Sequence, residues 1–344
     1  MRVQVPPSAL ARCKAGIFFF RVRLMRSRLF QVLNIILFVG LAGVFLFFVP
    51  VQKIMDAIRS ASPIYFWISV LLGFPVVYLS AVRLWMLTHR QGILITPFKL
   101  FEINLVVRFY SFFLPASTVG SLMRWYRLSG NGKSAEALTA VAVNRLFDVF
   151  IAVIFGLFWI LGKVNQAILI QPVWFLLFLV AVLLLWFVLT HFSQPIIQRI
   201  QTWTVKSDRA WVRKIGAYLG RLAASLQVYS GFSVRHLLFM IVIGLGSELL
   251  GVLGYYYLVL SIGVPIQFAD LGWMRTIFFL VSLAPFTLTG GIGLREVSIV
   301  WVLTAIGIQA DLAAAFSFLV YVRSVLMSLV GGLIELISLQ VAHE

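Results

Sequence analysis

LAPFTLTGGIGLRE, residues 283–296, interrupts one of the most apolar stretches of the chain. It holds Pro285, Thr287 and Thr289, three glycines, and then Arg295 beside Glu296. A plain membrane-spanning helix has no use for that combination. Proline removes a backbone donor and disfavours helix in the residue before it. Glycines such as Gly290 and Gly291 permit the dihedrals of a chain turning back. The reading is a helix that breaks at membrane depth and restarts. The restarted half-helix presents free N–H groups and partial positive charge at its N-terminus.

A second stretch carries the same signature. FLPASTVGSLMRWYRL, residues 113–128, shares the pattern P-x-[ST]-x-x-G with the first. Pro115, Ser117 and Gly120 correspond to Pro285, Thr287 and Gly290, and Arg124 follows as Arg295 does. Ser117, Thr118, Thr287 and Thr289 can satisfy carbonyls freed by the breaks, which otherwise cost several kcal/mol each in hydrocarbon.

Composition sets the solvent. The chain of 344 residues is 62% hydrophobic and 11% charged, against roughly 25% charged in soluble domains. A span needs about 20 apolar residues. Uninterrupted apolar runs lie near 29–49, 64–88, 137–161, 171–191, 236–262 and 311–338. The expectation is an all-α polytopic membrane protein with six full spans and two re-entrant segments, about 97–130 and 268–308. If the basic N-terminus and the basic loop 193–235 are both cytoplasmic, residues 90 and 134 share a side and 97–130 dips and returns. The same logic makes 268–308 enter from the opposite face. The two breaks then form an inverted repeat meeting near the midplane. Both termini are expected in the cytoplasm.

The formal charge is +17, and half of the 28 basic residues fall in residues 1–30 and 193–235. Beside so many spans these blocks read as positive-inside segments against an anionic leaflet, with no nucleic-acid partner. Residues 1–28 read as a disordered basic tail, with Met25 as an alternative start. Residues 29–340 read as a single transmembrane domain. Within the 193–235 loop, Trp211, Ile215, Tyr218, Leu219, Leu222, Leu226 and Tyr229 recur at helical spacing over 208–230. They predict an amphipathic helix on the cytoplasmic leaflet. Cys13 is the only cysteine, and His89, His191, His236 and His343 are scattered. With no metal, nucleotide or hydrolase motif, no cofactor is expected and the chain reads as a non-enzyme.

The candidate site follows from the breaks. Two half-helix N-termini, with Arg124 and Arg127 on one side and Arg295 on the other, make an anion site approachable from two faces. Charges inside the spans cost about 3 kcal/mol each at mid-bilayer and need partners. Arg145 and Asp148 are three apart on one helix and are expected to pair. Arg295 and Glu296 are adjacent and are expected to find separate partners. Glu248 and Arg323, each near the middle of its span, are expected to pair across the bundle or to face the cavity together. Arg83 and Arg108 read as structural; Arg124, Arg295 and Glu296 read as functional.

The segments LPASTVGSLMRWYRL (114–128), NRLFD (144–148) and APFTLTGGIGLREV (284–297), with Arg323 and Gly331-Gly332 in the final span, also carry a family resemblance. Over roughly 29–338 the chain resembles the flippase-like transmembrane domain of lysylphosphatidylglycerol synthases and their stand-alone membrane relatives. The first break departs from that family's pattern, which has paired glycines and an acidic residue before the arginine. Here Gly120 is followed by Ser121, Leu122 and Met123, so Arg124 lacks a local charged partner. The resemblance implies a lipid translocator or lipid-binding membrane protein, without the soluble aminoacyl-transfer domain of the synthases. The expected function is a flippase in the bacterial inner membrane, moving an anionic phospholipid or polyprenyl-linked lipid between leaflets. Its expected partners are lipid head groups, a second copy of the chain or a lipid-modifying enzyme. The alternatives are an integral-membrane enzyme acting on lipid phosphates and a non-catalytic partner of such an enzyme.

Overall fold

The computed structural model describes residues 61–113, 117–129, 132–161, 210–283 and 294–341, together with Arg59, Leu176, Leu177 and Val180. The described segments all belong to one compact unit, Val51–Glu344. They form nine α-helices and a 3-10 turn, with no strand among the described residues. In chain order these are α1 (Pro63–Arg90), α2 (Pro97–Phe113), α3 (Ser117–Leu128), α4 (Ser134–Leu161), α5 (Ala210–Gln227), α6 (Val234–Ile262), α7 (Phe268–Ser282), α8 (Leu294–Ala305) and α9 (Ala310–Val341).

Four of them, within α1, α4, α6 and α9, are long and apolar enough to cross a membrane. They coincide with the expected runs at 64–88, 137–161, 236–262 and 311–338. The runs at 29–49 and 171–191 and the tail 1–28 lie outside the described residues, apart from Leu176, Leu177 and Val180. So do residues 114–116 and 284–293, where the sequence reading places the breaks and which hold Pro115, Pro285, Thr287, Gly290 and Gly291.

Local signals explain the helix ends. α1 opens after the extended Ser62 with Pro63 in its first turn, where the preset φ fits and no N–H is needed. It ends where Gly92, at φ 69°, turns the chain and donates its N–H to the His89 carbonyl at 2.9 Å. α6 ends on Gly263 in the left-handed region, whose N–H returns to the Val259 carbonyl.

Cross-helix bonds show which ends lie together. At the first end, Lys133 Nζ donates to the Gly92 carbonyl at 2.6 Å, and Gln91 Nε2 donates to the Ser225 carbonyl at 2.7 Å. Arg127 at the end of α3 pairs with Glu335 near the end of α9 at 2.5 Å. At the second end, the Ser62 N–H donates to the Ser261 carbonyl at 2.7 Å, and Trp159 meets Phe268 edge-on at 5.6 Å. Thus α2 starts and α3 finishes at the first end, whereas α7 starts at the second. α8 finishes beside the start of α9, also at the second end, through a turn at Gly307 (φ 91°).

The amphipathic segment is helical over Ala210–Gln227, and its described inner face has a protein partner. Ala223 and Ser225 are buried, and Tyr229 in the following turn packs among Leu87, Phe147 and Met240. Tyr229 Oη donates to the Leu87 carbonyl at 3.2 Å, and burial pushes its phenol pKa up. Outward faces of the spans carry exposed apolar side chains such as Ile64, Trp67, Leu71 and Tyr78 on α1. Their three- and four-residue spacing is that of one helical stripe, suited to lipid.

Candidate anion site between the two helix pairs

The α2–α3 pair, entering from the first end, carries Arg108 and Arg124, and the α7–α8 pair, entering from the second, carries the half-buried Arg275 and Arg295. α1, α4, α6 and α9 supply the rest of the lining. Seven arginines belong to this region: Arg83, Arg108, Arg124, Arg145, Arg275, Arg295 and Arg323. Three carboxylates face them: Asp148, Glu248 and Glu296.

Three arginines are paired. Arg83 donates from Nε to Asn144 Oδ1 at 3.1 Å and binds Asp148 through Nη2. Arg275 Nε donates to Glu248 Oε2 at 2.9 Å. Arg295 Nε donates to Glu296 Oε1 at 2.8 Å, with a second bond from Nη2 to the same oxygen. Both bonds end on one carboxylate oxygen, so the pair is charge-assisted without the two-oxygen fork.

α6 provides the seats. Gly244, Gly251 and Gly254 are spaced by seven and three residues, which places them on one helix face. A methyl group on Gly251 would collide with the guanidinium of Arg275. One on Gly254 would lie 2.7 Å from Arg323 Nη2, and one on Gly244 would collide first with Ile151 and would also lie 3.0 Å from Arg83 Nη1. Tyr255 adds a ring beneath both Arg275, at 5.5 Å, and Arg323, at 5.9 Å. Such cation–π contacts are worth about 2 kcal/mol when desolvated.

The other four arginines have no carboxylate partner among the described residues. Arg323 is buried on Gly254 and Tyr255. Arg145 lies over the Phe279 ring at 5.4 Å. Arg124 Nε is a buried donor with no acceptor. Arg108 sits about 16 Å along α2 from Pro97, at 1.5 Å per residue. It is nonetheless exposed, so it borders open space. Arg145, Arg108 and the paired Arg83 lie close enough to act on Arg124. Arg108 in turn feels Arg275 and Arg295, and Arg323 feels Arg275, Arg108 and Arg295. An anion among such like charges relieves their mutual repulsion.

A model of the lysylphosphatidylglycerol synthase TM region matches residues 31–332, a span that contains both helix pairs and every one of these arginines. The chain belongs to that family. No curated protein and no solved structure matches it.

In this member of the lysylphosphatidylglycerol synthase TM family, several pairings differ from the sequence expectation. Asp148 takes Arg83 rather than Arg145, because Arg83 reaches it from α1 and Asn144 fixes the geometry from one turn away. Arg295 and Glu296 bind each other rather than separate partners. They stand side by side at the start of α8. Glu248 takes Arg275 rather than Arg323, because Gly251 opens the surface of α6 one turn away. Arg127 does not join Arg124. It pairs at the first end with Glu335, which also accepts from Tyr110 Oη at 2.8 Å. Arg108 and Arg83 both lie in the cluster. Gly120 packs where a methyl would lie 2.8 Å from Ser111 Oγ, so it is the contact between α2 and α3. Ser117 opens α3, and its side chain lies outside the described residues.

Sequence reasoning missed Arg275, Tyr255 and the three seating glycines. The seven-and-three glycine spacing on one span was the available signal.

Proposed function

We propose that the chain is a lipid translocator, in which an anionic head group passes through the arginine-lined space while its acyl tails stay in lipid. The observation that carries this reading is Arg124: a buried Nε donor without an acceptor among the described residues, beside Arg108 and Arg145, which lack carboxylates there as well. The α2–α3 and α7–α8 pairs, open to opposite ends, are read as an inverted repeat whose halves exchange access to that space. The first end gathers Arg90, Lys99, Lys133 and Arg221, and the second bears Asp270 and Asp311. We therefore assign the first end to the cytoplasm of a bacterial inner membrane.

The test is reconstitution into vesicles holding fluorescent phosphatidylglycerol, with chemical quenching of the outer leaflet. Translocation leaves a quenchable fraction above the half seen in protein-free vesicles. A chemically altered lipid points to the enzyme alternative. Neither result fits an accessory subunit.

A further inference from the structure

The lipid substrate of this site can be narrowed by its charge. Seven arginines face three carboxylates, which leaves four positive charges uncompensated among the described residues. A phosphodiester head group carries one negative charge and cannot balance them. A zwitterionic or aminoacylated head group would bring a further cation into a space already crowded with them. A phosphomonoester carries about −1.5 to −2 at neutral pH, and a diphosphate more. Both also offer several acceptor oxygens in the fork geometry that guanidinium groups favour.

The unpaired cations are distributed as such a group requires. Arg108 and Arg124 come from the pair at the first end, Arg145 from the facing span, and Arg323 from the middle of α9. Depth argues for a lipid over a free ion. Arg108, Arg145 and Arg323 all lie well inside their helices, where a soluble anion would have to leave water without an apolar anchor.

We propose that this arginine cluster takes a polyanionic lipid head group, a diphosphate or terminal phosphomonoester on an apolar chain, in preference to a phosphodiester phospholipid. The inference rests on reading the cluster as part of a head-group path, and the experiment separates the two. Purified full-length chain in detergent is titrated with farnesyl diphosphate, farnesyl monophosphate, dihexanoyl phosphatidylglycerol, its lysyl ester and inorganic pyrophosphate, with thermal unfolding as readout.

Farnesyl diphosphate should bind at least tenfold more tightly than dihexanoyl phosphatidylglycerol, with the monophosphate between them and the lysyl ester weakest. Arg124→Gln, and independently Arg145→Gln, should erase most of that preference. Arg221→Gln, an exposed arginine on α5 outside the cluster, should leave it intact. Equal affinity for the diphosphate and the phosphodiester would overturn the proposal, as would tight binding of the lysyl ester. Inorganic pyrophosphate binding as well as farnesyl diphosphate would overturn its lipid part. Should vesicle exchange fail while the preference for diphosphate stands, translocation is lost and the binding assignment survives.

Discussion

The α7–α8 pair matches both of its arginines with carboxylates: Arg275 with Glu248 and Arg295 with Glu296. The α2–α3 pair gives its two arginines inside the helices, Arg108 and Arg124, no such partner among the described residues. Both pairs follow from the same break signature, yet one is electrostatically closed and the other open. Closed pairs in low dielectric hold geometry, because removing one partner strands a charge. On the proposed reading open cations await a ligand, so the second pair is the frame of the site and the first is the part that would read the head group.

This contrast can be broken most sharply at Glu248. Glu248→Gln strands Arg275 against Tyr255, and loss of one partner of a buried pair costs about 3–5 kcal/mol. Thermal unfolding in detergent should show a large drop, recovered in part by Arg275→Gln in the same molecule. An unfolding temperature equal to wild type would mean that the pair is not part of the frame. Arg295→Ala belongs to the same class, and folded yield should fall because Glu296 is buried.

A smaller effect is expected at Gly254. Valine there pushes against the Arg323 guanidinium, an overpacking of about 1–3 kcal/mol. Its signature is a lower unfolding temperature, and Arg323→Leu in the same chain should relieve it. A Gly254→Val chain as stable as wild type would show that Arg323 does not need its seat.

The smallest effect is expected at the first end. Arg127 is partly exposed, at 28% of its side chain, and Glu335 keeps its bond from Tyr110. Pairs of this kind are worth about 1 kcal/mol or less. Arg127→Gln should shift unfolding only slightly, and the residual shift should shrink further in high salt. A loss as large as that of Glu248→Gln would place Arg127 inside the frame.

Much of this architecture is legible in residues 283–296 and 113–128. Proline and glycine mark the breaks, and the apolar runs around them give helix pairs that start from opposite ends. The departure at Ser121–Met123 from the family pattern also announces Arg124 as a cation without a local acid, which is how it stands. The pairings are not legible. Arg145 and Asp148 satisfy the spacing rule on α4, yet Arg83, more than sixty residues earlier, wins Asp148 through Asn144. Helical periodicity tells which face a residue occupies and not which side chain arrives from another helix. The glycines at 244, 251 and 254 were the missing link, since a gap on one span decides where another helix's arginine lies.

The central claim is most directly tested at Arg124, with stability and lipid exchange measured on the same preparation. Arg124→Gln removes an unpaired buried charge and the repulsion it exerts on Arg145 and Arg108. The account predicts an unfolding temperature equal to or above wild type, with head-group exchange per folded molecule down by about tenfold, the equivalent of roughly 1.4 kcal/mol. Unchanged exchange together with a lower unfolding temperature would contradict it, and would make Arg124 a structural residue like Arg275.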